Sequence, residues 1–442
     1  MIEYANKMGK NSHKLELPAI FKKRDKKNRV VLVPNLSPEF SRVMELALRS
    51  CGFKARRVPL AGPEAVELGK QYVHNDICFP AQINIGELLY ELQTGGYNRD
   101  EVAFGLSKNC NSCRALQYYA LARKGLDESG YSDVPVVTSG RDELGLQPGF
   151  RLGFLFRIKS MQGLIITDAL NLMRDRVISY ELNEGETLRV HEHQMKICLK
   201  ALEKSFRSAL GALKGAVLEF NAIQSKRNER KPMVGIVGEI LVNYHPTANY
   251  NLVKYLRENG MEVILPPLLE FFRQDIFNLE ESYRRRLTRY PIIDKIHAKF
   301  QELIYNHHLN PSENILKNFK YYEEREDIRT IAAYANGIID ATFYSGEGWL
   351  LPGEIVSMIK KGVRSFVIVQ PFGCLPNHIS GRGTIKSIKK LYPRVQILSL
   401  DYDPDVSLGN IENRLQMLII SAREMKKEDS IPIKQETLSR AI

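Results

Sequence analysis

Four cysteines stand in settings that suit thiolate chemistry. Cys78 lies in Asn75-Asp76-Ile77-Cys78-Phe79-Pro80, ahead of a helix that Pro80 can open in its first turn. Cys110 and Cys113 lie in Lys108-Asn109-Cys110-Asn111-Ser112-Cys113-Arg114, between a strand ending near Ser107 and a helix beginning near Arg114. Cys374 lies in Gln370-Pro371-Phe372-Gly373-Cys374-Leu375-Pro376-Asn377-His378, after a strand over 366–370. Each loop leads into a helix, whose first N–H groups and positive dipole end stabilise a thiolate or an anionic sulfide cluster. Glycine and proline around Cys374 let the backbone approach closely and present N–H donors to sulfur, one lever on a cluster's reduction potential.

Other chemistries fit parts of this set. Cys110 and Cys113 form a C-x2-C that could be a thioredoxin-like redox dithiol. Structural zinc wants a closed set of four Cys or His ligands with a second tight pair, and here the remaining cysteines are isolated. Cys51 and Cys198, at a helix end and within an amphipathic helix, read as buried and unreactive. No export signal precedes the six cysteines, so a disulfide framework is not expected.

Two acidic residues join the cysteines at strand ends. Glu239 follows the strand 234–237, and Glu347 sits in Ser345-Gly346-Glu347-Gly348-Trp349. There they could move protons or orient a cluster ligand; the competing reading is a surface cap or an ion-pair partner. His378 could be a ligand or proton donor, or a packed residue at a helix start. Trp349, the single tryptophan, reads as core.

The elements that must position these residues alternate. Residues 29–34 (R-V-V-L-V-P) read as a buried strand, 37–50 as a helix, and 53–58 as extended. A helix over 80–92, a strand over 102–106, a helix over 114–128 and a strand over 135–139 follow. From 161 to about 224 the pattern is a long helical connector. Lys226-Arg227-Asn228-Glu229-Arg230-Lys231 is a charged hinge, after which 233–237 resumes the strand pattern. The second half then predicts a helix near 249–259, a strand 262–265 and a helical insertion of about 270–335. Strand 337–343, helix 352–361, strand 364–370, helix 383–391, strand 395–400 and a final helix near 409–426 complete it.

This alternation predicts an α/β protein with mostly parallel sheets covered on both faces. The expected division is a basic N-terminal tail 1–28, a first α/β domain with the connector 29–225, a second α/β domain 231–427 and a C-terminal tail 428–442. The second half repeats the first in outline, without an exact sequence repeat. In open α/β sheets ligands gather outside the carboxyl ends of the strands, which is where these cysteines fall.

With 442 residues, 44% hydrophobic and 26% charged, the chain can build two sizeable cores and is not disordered in general. No run of about eighteen apolar residues and no apolar leader occurs, so neither a transmembrane helix nor a signal peptide is expected, and the expected location is cytoplasmic. Lysine and arginine number 63 against 51 aspartates and glutamates, a formal excess of +12, much of which sits at the start of the chain. The tail reads as solvated, and no nucleic-acid recognition signature accompanies it. There is no G-x-x-x-x-G-K-[ST] loop, no G-x-G-x-x-G after the first strand and no G-x-S-x-G elbow, so ATP hydrolysis by this chain is not expected.

Several motifs together resemble one family. Tyr72 to Ala81 (Y-V-H-N-D-I-C-F-P-A), Cys113-Arg114-Ala115 with Gln117-Tyr118, Val234 to Glu239 (V-G-I-V-G-E), Gly346 to Trp349, and Gln370 to His378 followed by Asp401 to Pro404 carry the likeness. The chain, over about residues 30 to 425, resembles the 2-hydroxyacyl-CoA dehydratase superfamily. Its nearest likeness is the acyl-CoA dehydratase activase-related branch, to which the double-cubane cluster proteins are related.

The resemblance implies two flavodoxin-like or Rossmann-like domains with an iron–sulfur cluster between them. It implies Cys78, Cys113 and Cys374 as cluster ligands. Related chains often have Gly where this one has Cys110, which is a departure: Cys110 would be a fourth ligand or a free thiol near the cluster. Six ligands would suit a double cubane, [8Fe–9S]; four positioned cysteines favour a single [4Fe–4S] cluster. The family's reaction removes water from a 2-hydroxyacyl-CoA after one-electron reduction of the thioester. The electron comes from a separate ATP-dependent activase, and double-cubane relatives reduce small molecules instead. The resemblance therefore implies an oxygen-sensitive, electron-accepting redox enzyme or component, with an activase as donor, an acyl-CoA as possible substrate and a homodimeric assembly. The alternative is a non-catalytic module that binds acyl-CoA or a partner protein around a structural metal.

Overall fold

The computed structural model describes residues 18–74, 76–107, 113–140, 145–289 and 291–430. The chain divides into two compact units, Met1–Ser160 and Met161–Ile442.

The first unit holds a four-stranded parallel sheet of β1 (Val30–Val33), β2 (Lys54–Arg57), β3 (Val102–Leu106) and β4 (Val136–Thr138), in the order β2-β1-β3-β4. β3 is buried along its whole length and β1 from its second residue on, as strands covered on both faces must be. β2 reads Lys-Ala-Arg-Arg and alternates in exposure; charge on such an edge discourages pairing with another chain. Helix α1 (Pro38–Ser50) starts where the Ser37 hydroxyl accepts the Phe40 N–H at 3.0 Å.

Helices α2 (Pro63–Tyr72) and α3 (Phe79–Thr94) then cross backbone to backbone. A Cβ on Gly69 would lie 2.0 Å from the Gln82 carbonyl oxygen, and one on Gly86 2.0 Å from that of Ala65, so the crossing admits no side chain at either position. The sequence reading places no helix over 63–72; Pro63 at its first turn was the available signal. A buried carboxylate on α3, Glu87, accepts the backbone N–H groups of Asn35 and Ala61, both at 3.1 Å, and so ties α3 to the ends of β1 and β2. Helix α4 (Tyr118–Glu128) precedes β4.

The second unit opens with three helices, α5 (Phe154–Val177, from its Met161 onward), α6 (Glu186–Lys204) and α7 (Phe206–Ala222). Its sheet comprises β5 (Met233–Gly238), β6 (Glu262–Ile264), β7 (Ser365–Pro371) and β8 (Gln396–Tyr402), again parallel, in the order β6-β5-β7-β8. Around it run α8 (Ile240–Tyr244), α9 (Leu252–Glu258), α10 (Leu268–Arg284), α11 (Pro291–Leu316), α12 (Ile328–Ala335), α13 (Leu350–Lys360), α14 (Leu375–Ser380), α15 (Ile385–Leu391) and α16 (Leu408–Ser430). The connector helices bond to this unit. Asp168 of α5 caps α10 by accepting the N–H groups of Leu268 and Leu269. The fully buried Glu262 of β6 receives Arg176, Arg227, Arg230 and the Tyr180 hydroxyl at 2.6–3.1 Å.

Both sheets are entirely parallel and helix-flanked, so the expected two-domain α/β class is the observed one. Both also have the same order, with the first strand of each flanked by the second and third. In such sheets the ligand crevice opens at the carboxyl ends of the first and third strands, here β1/β3 and β5/β7.

The strand expected over 337–343 does not form. After α12 the chain turns, with Ile338 N–H bonded to the Ala335 carbonyl, and the Asp340 carboxylate takes the N–H and hydroxyl of Thr342. Ile338, Ile339 and Ala341 supply the apolar pattern by packing on buried clusters, and both edges of β5 are already occupied by β6 and β7. Among the described residues, no helix is long and apolar enough to cross a membrane.

Candidate functional site

Cys78, Cys113 and Cys374 share one position in local structure: each is the residue that caps the N-terminus of a helix. Cys78 precedes α3, Cys113 precedes a single helical turn (Arg114–Gln117), and Cys374 precedes α14. All three are half-buried. Proline within the first turn of α3 and α14 removes a donor that would have no intrahelical partner and fixes the helical φ, which is why the loop ends at the cysteine. The other two described cysteines differ. Cys51 ends α1, and Cys198 is buried inside α6, where burial pushes its thiol up to about 12.

In the first unit the loops that carry Cys78 and Cys113 are bonded to each other. Arg114, next to Cys113, donates from Nη1 to the carbonyls of Asp76 and Ile77 at 2.6 and 3.2 Å, clamping one cysteine loop onto the other. The Cys78 Sγ lies 3.3 Å from the Tyr118 hydroxyl, and the Cys113 Sγ accepts the Ala115 N–H at 3.4 Å. Cys110 lies outside the described residues.

In the second unit Cys374, Glu239 and Glu347 form another group, at the carboxyl ends of β5 and β7. Gly238 ends β5 at φ +153° with Val369 of β7 so close that a Cβ would sit 1.8 Å from its carbonyl oxygen. The chain thus delivers Glu239 to the start of α8 alongside β7. Glu239 Oε2 accepts the N–H groups of Leu241 and Val242 at 3.0 and 2.8 Å. Glu347 Oε1 accepts the adjacent Ile240 N–H at 2.9 Å, and its Oε2 accepts the Asn377 amide at 2.7 Å. The same Asn377 Nδ2 lies 3.6 Å from the Cys374 Sγ.

Burial, and then the charge of Glu347, push the Glu239 carboxyl up to about 8, against the pull of the two N–H groups. The pair therefore retains a proton at neutral pH, beside a helix N-terminus and one amide away from Cys374. Glu354, on α13, is likewise pushed well up by burial and by the charges of Glu270 and Glu347. His378 Nδ1 lies 2.8 Å from the Cys374 carbonyl, so its ring is engaged by the backbone of its own turn. Trp349 is core: it is wholly buried, packs edge-on to Phe277 and donates from Nε1 to Asn278 at 2.8 Å.

Cys78 and Cys113 thus belong to one unit and Cys374 with the two glutamates to the other. Among the described residues, no cluster of three or more Cys, His, Asp or Glu side chains is gathered as a metal site. Each of the three thiols stands at a helix start, where backbone N–H groups favour a thiolate. Sequence reasoning missed Tyr118 and Asn377 as neighbours of the Cys78 and Cys374 sulfurs, and Arg114 as the clamp between the two loops of the first unit. Each lies within five residues of a cysteine and is polar in a helix's first turns, the one signal available for it.

Neither known family models nor curated proteins match this chain.

Proposed function

We propose that this chain is an iron–sulfur redox protein that accepts low-potential electrons from an ATP-dependent activase and passes them to a substrate, either for dehydration of an acyl-CoA or for reduction of a small molecule. The observation that carries this reading is that Cys78, Cys113 and Cys374, the cysteines of the family-like motifs, all cap helix N-termini, while Cys51 and Cys198 do not.

The thiols of Cys78, Cys113 and Cys374, with Cys110 as a fourth, would hold a [4Fe–4S] cluster; an [8Fe–9S] double cubane would need more ligands than these. When bound, such a cluster supplies single electrons at a potential set by its ligands, N–H donors and burial. The chain's own groups then have separate tasks. Arg114 holds the two loops of the first unit in register, and the Asn377 amide orients the Cys374 sulfur against Glu347. Glu239 and Glu347 hold a proton that a departing hydroxyl or a reduced product requires.

The test is anaerobic mixing with a cluster-bearing activase and ATP. A reduced-cluster EPR signal that appears with ATP and fails to appear with a non-hydrolysable analogue supports the reading. A colourless zinc protein indifferent to dithionite would instead identify a binding module with a structural metal.

A further inference from the structure

Glu347 lies on an arch of chain, residues 343–349, that forms neither strand nor helix. Gly346 and Gly348 flank it at φ +62° and +49°, in the left-handed region, so the arch turns sharply on both sides of the carboxylate. The fit is close: a Cβ on Gly348 would lie 2.2 Å from the Phe343 carbonyl oxygen, and one on Gly346 2.9 Å from the Pro376 side chain. Two glycine neighbours also give the Glu347 backbone little stiffness of its own, so its placement depends on what holds the arch from outside.

That hold comes from α10. Gln274 donates from Nε2 to the Gly346 carbonyl at 3.1 Å, and one turn further on Asn278 accepts from Trp349 Nε1 at 2.8 Å. We propose that Gln274 is a positioning residue for Glu347, keeping its carboxylate on the Ile240 N–H and the Asn377 amide. The Gly346 carbonyl oxygen lies in the rigid peptide plane that also contains the Glu347 nitrogen and Cα. Fixing that oxygen therefore fixes where Glu347 begins, whereas the Trp349 anchor acts beyond Gly348, where backbone freedom resumes.

The amide at 274 contributes little as a prop for the fold. Gln274 is 2% exposed; its Nε2 bonds go to Gly346 and to Phe271 of its own helix, and its Oε1 is buried with no partner. A stranded buried acceptor offsets much of what the two bonds contribute. Turning the amide over would set Oε1 against two carbonyl oxygens, so its orientation is fixed.

The consequence is electrostatic. After burial, the charge of Glu347 is what raises the Glu239 carboxyl. A Glu347 that swings off the Ile240 amide relieves that repulsion and lets Glu239 release its proton at lower pH. Gln274 thus governs, from outside the pair, whether the pair keeps its proton at neutral pH. This inference rests on the reading of Glu239 and Glu347 as a proton-holding pair and is independent of the cluster.

Infrared spectra of the full chain from about pH 5 to 9 test it, reading the C=O band of protonated buried carboxyls in the wild type, Glu239→Gln and Gln274→Met. Methionine keeps the length of the side chain and removes the donor. The component missing from Glu239→Gln belongs to Glu239; Glu354, raised by burial and by the charges of Glu270 and Glu347, gives a component that this variant retains. In the wild type the Glu239 component should vanish as pH rises through about 8. Gln274→Met should melt close to the wild type at acidic pH, and its Glu239 component should vanish at least about one pH unit lower. An unchanged midpoint would overturn the positioning role. So would a Gln274→Met chain that fails to fold, which would make the amide a prop of the fold. A wild type with no component that Glu239→Gln removes would overturn the shared proton itself, and this inference with it.

Discussion

Glu239 and Glu347 are bound to three consecutive backbone amides of one helical turn, Glu347 to Ile240 and Glu239 to Leu241 and Val242. Two carboxylates 108 positions apart are thereby held in one dipole field, and both cannot ionise cheaply. The fold sets this up through Gly238, which brings the end of β5 onto β7.

The raised Glu239 carboxyl makes stability pH-dependent. Its folded value of about 8 exceeds the ordinary 4.5, so between these values the folded state binds more protons than the unfolded state. Stability contributed by the protonated group is complete below about 4.5 and is lost as pH rises through 8. The unfolding free energy from urea titrations should fall across pH 5 to 8 by up to on the order of 1 kcal/mol per pH unit, and Glu239→Gln should flatten that slope. An unchanged slope in the variant would show that Glu239 does not hold the proton.

Glu262 behaves in the opposite sense. Despite the cost of burial, Arg230, Tyr180 and Arg176 hold its carboxyl down at about 2. Its contribution is present above about 4.5 and is lost as pH falls towards 2. Acid unfolding monitored by circular dichroism should lose this contribution between about pH 4.5 and 2 in the wild type. Glu262→Gln should cost roughly 1.5–3 kcal/mol at pH 7, because it removes the charge that three half-buried guanidinium groups share, while Arg176 and Arg230 keep Glu323 as a partner.

The crossing of α2 on α3 should be intolerant of side chains. Gly69→Val places atoms into the Gln82 backbone and should cost several kcal/mol or prevent folding, whereas Gly211→Ala on α7, with open space around its Cβ position, should not destabilise the chain. Thermal melts of the two variants check this. Since the chain leaves the crossing to reach Cys78, any folded Gly69→Ala protein should also show altered reactivity of Cys78.

Thiol reactivity should sort the cysteines. With the cluster bound, Cys78, Cys113 and Cys374 should resist iodoacetamide and become reactive once iron is chelated, while Cys198, buried and pushed up to about 12, should stay unreactive in both states. Mass spectrometry of the alkylated peptides reads this directly. In the same preparations, Cys78→Ala, Cys113→Ala and Cys374→Ala should lose iron, and Cys51→Ala and Cys198→Ala should retain it. Full iron in Cys110→Ala would indicate a three-cysteine site.

Much of the fold was legible because it rests on local patterns. β1, β3, β5 and β7 are short apolar runs bounded by Gly, Pro or polar turns, and they read as buried strands. The 337–343 segment carried the same pattern, but its apolar residues serve packing around Trp349 and a turn closed by Asp340, a competition decided by tertiary contacts. At the sites, the cysteines' helix-start positions followed from proline and loop chemistry. The Asn377 bridge and the shared amides of Glu239 and Glu347 were not legible, since they depend on β5 and β7 being neighbours across 126 intervening residues.

Iron and acid-labile sulfide analysis of anaerobically purified protein, with EPR spectra before and after dithionite, tests the central proposal most directly. About four irons and four sulfides per chain, and a signal that dithionite changes, are expected. Zinc, or no metal, with no dithionite response would contradict it.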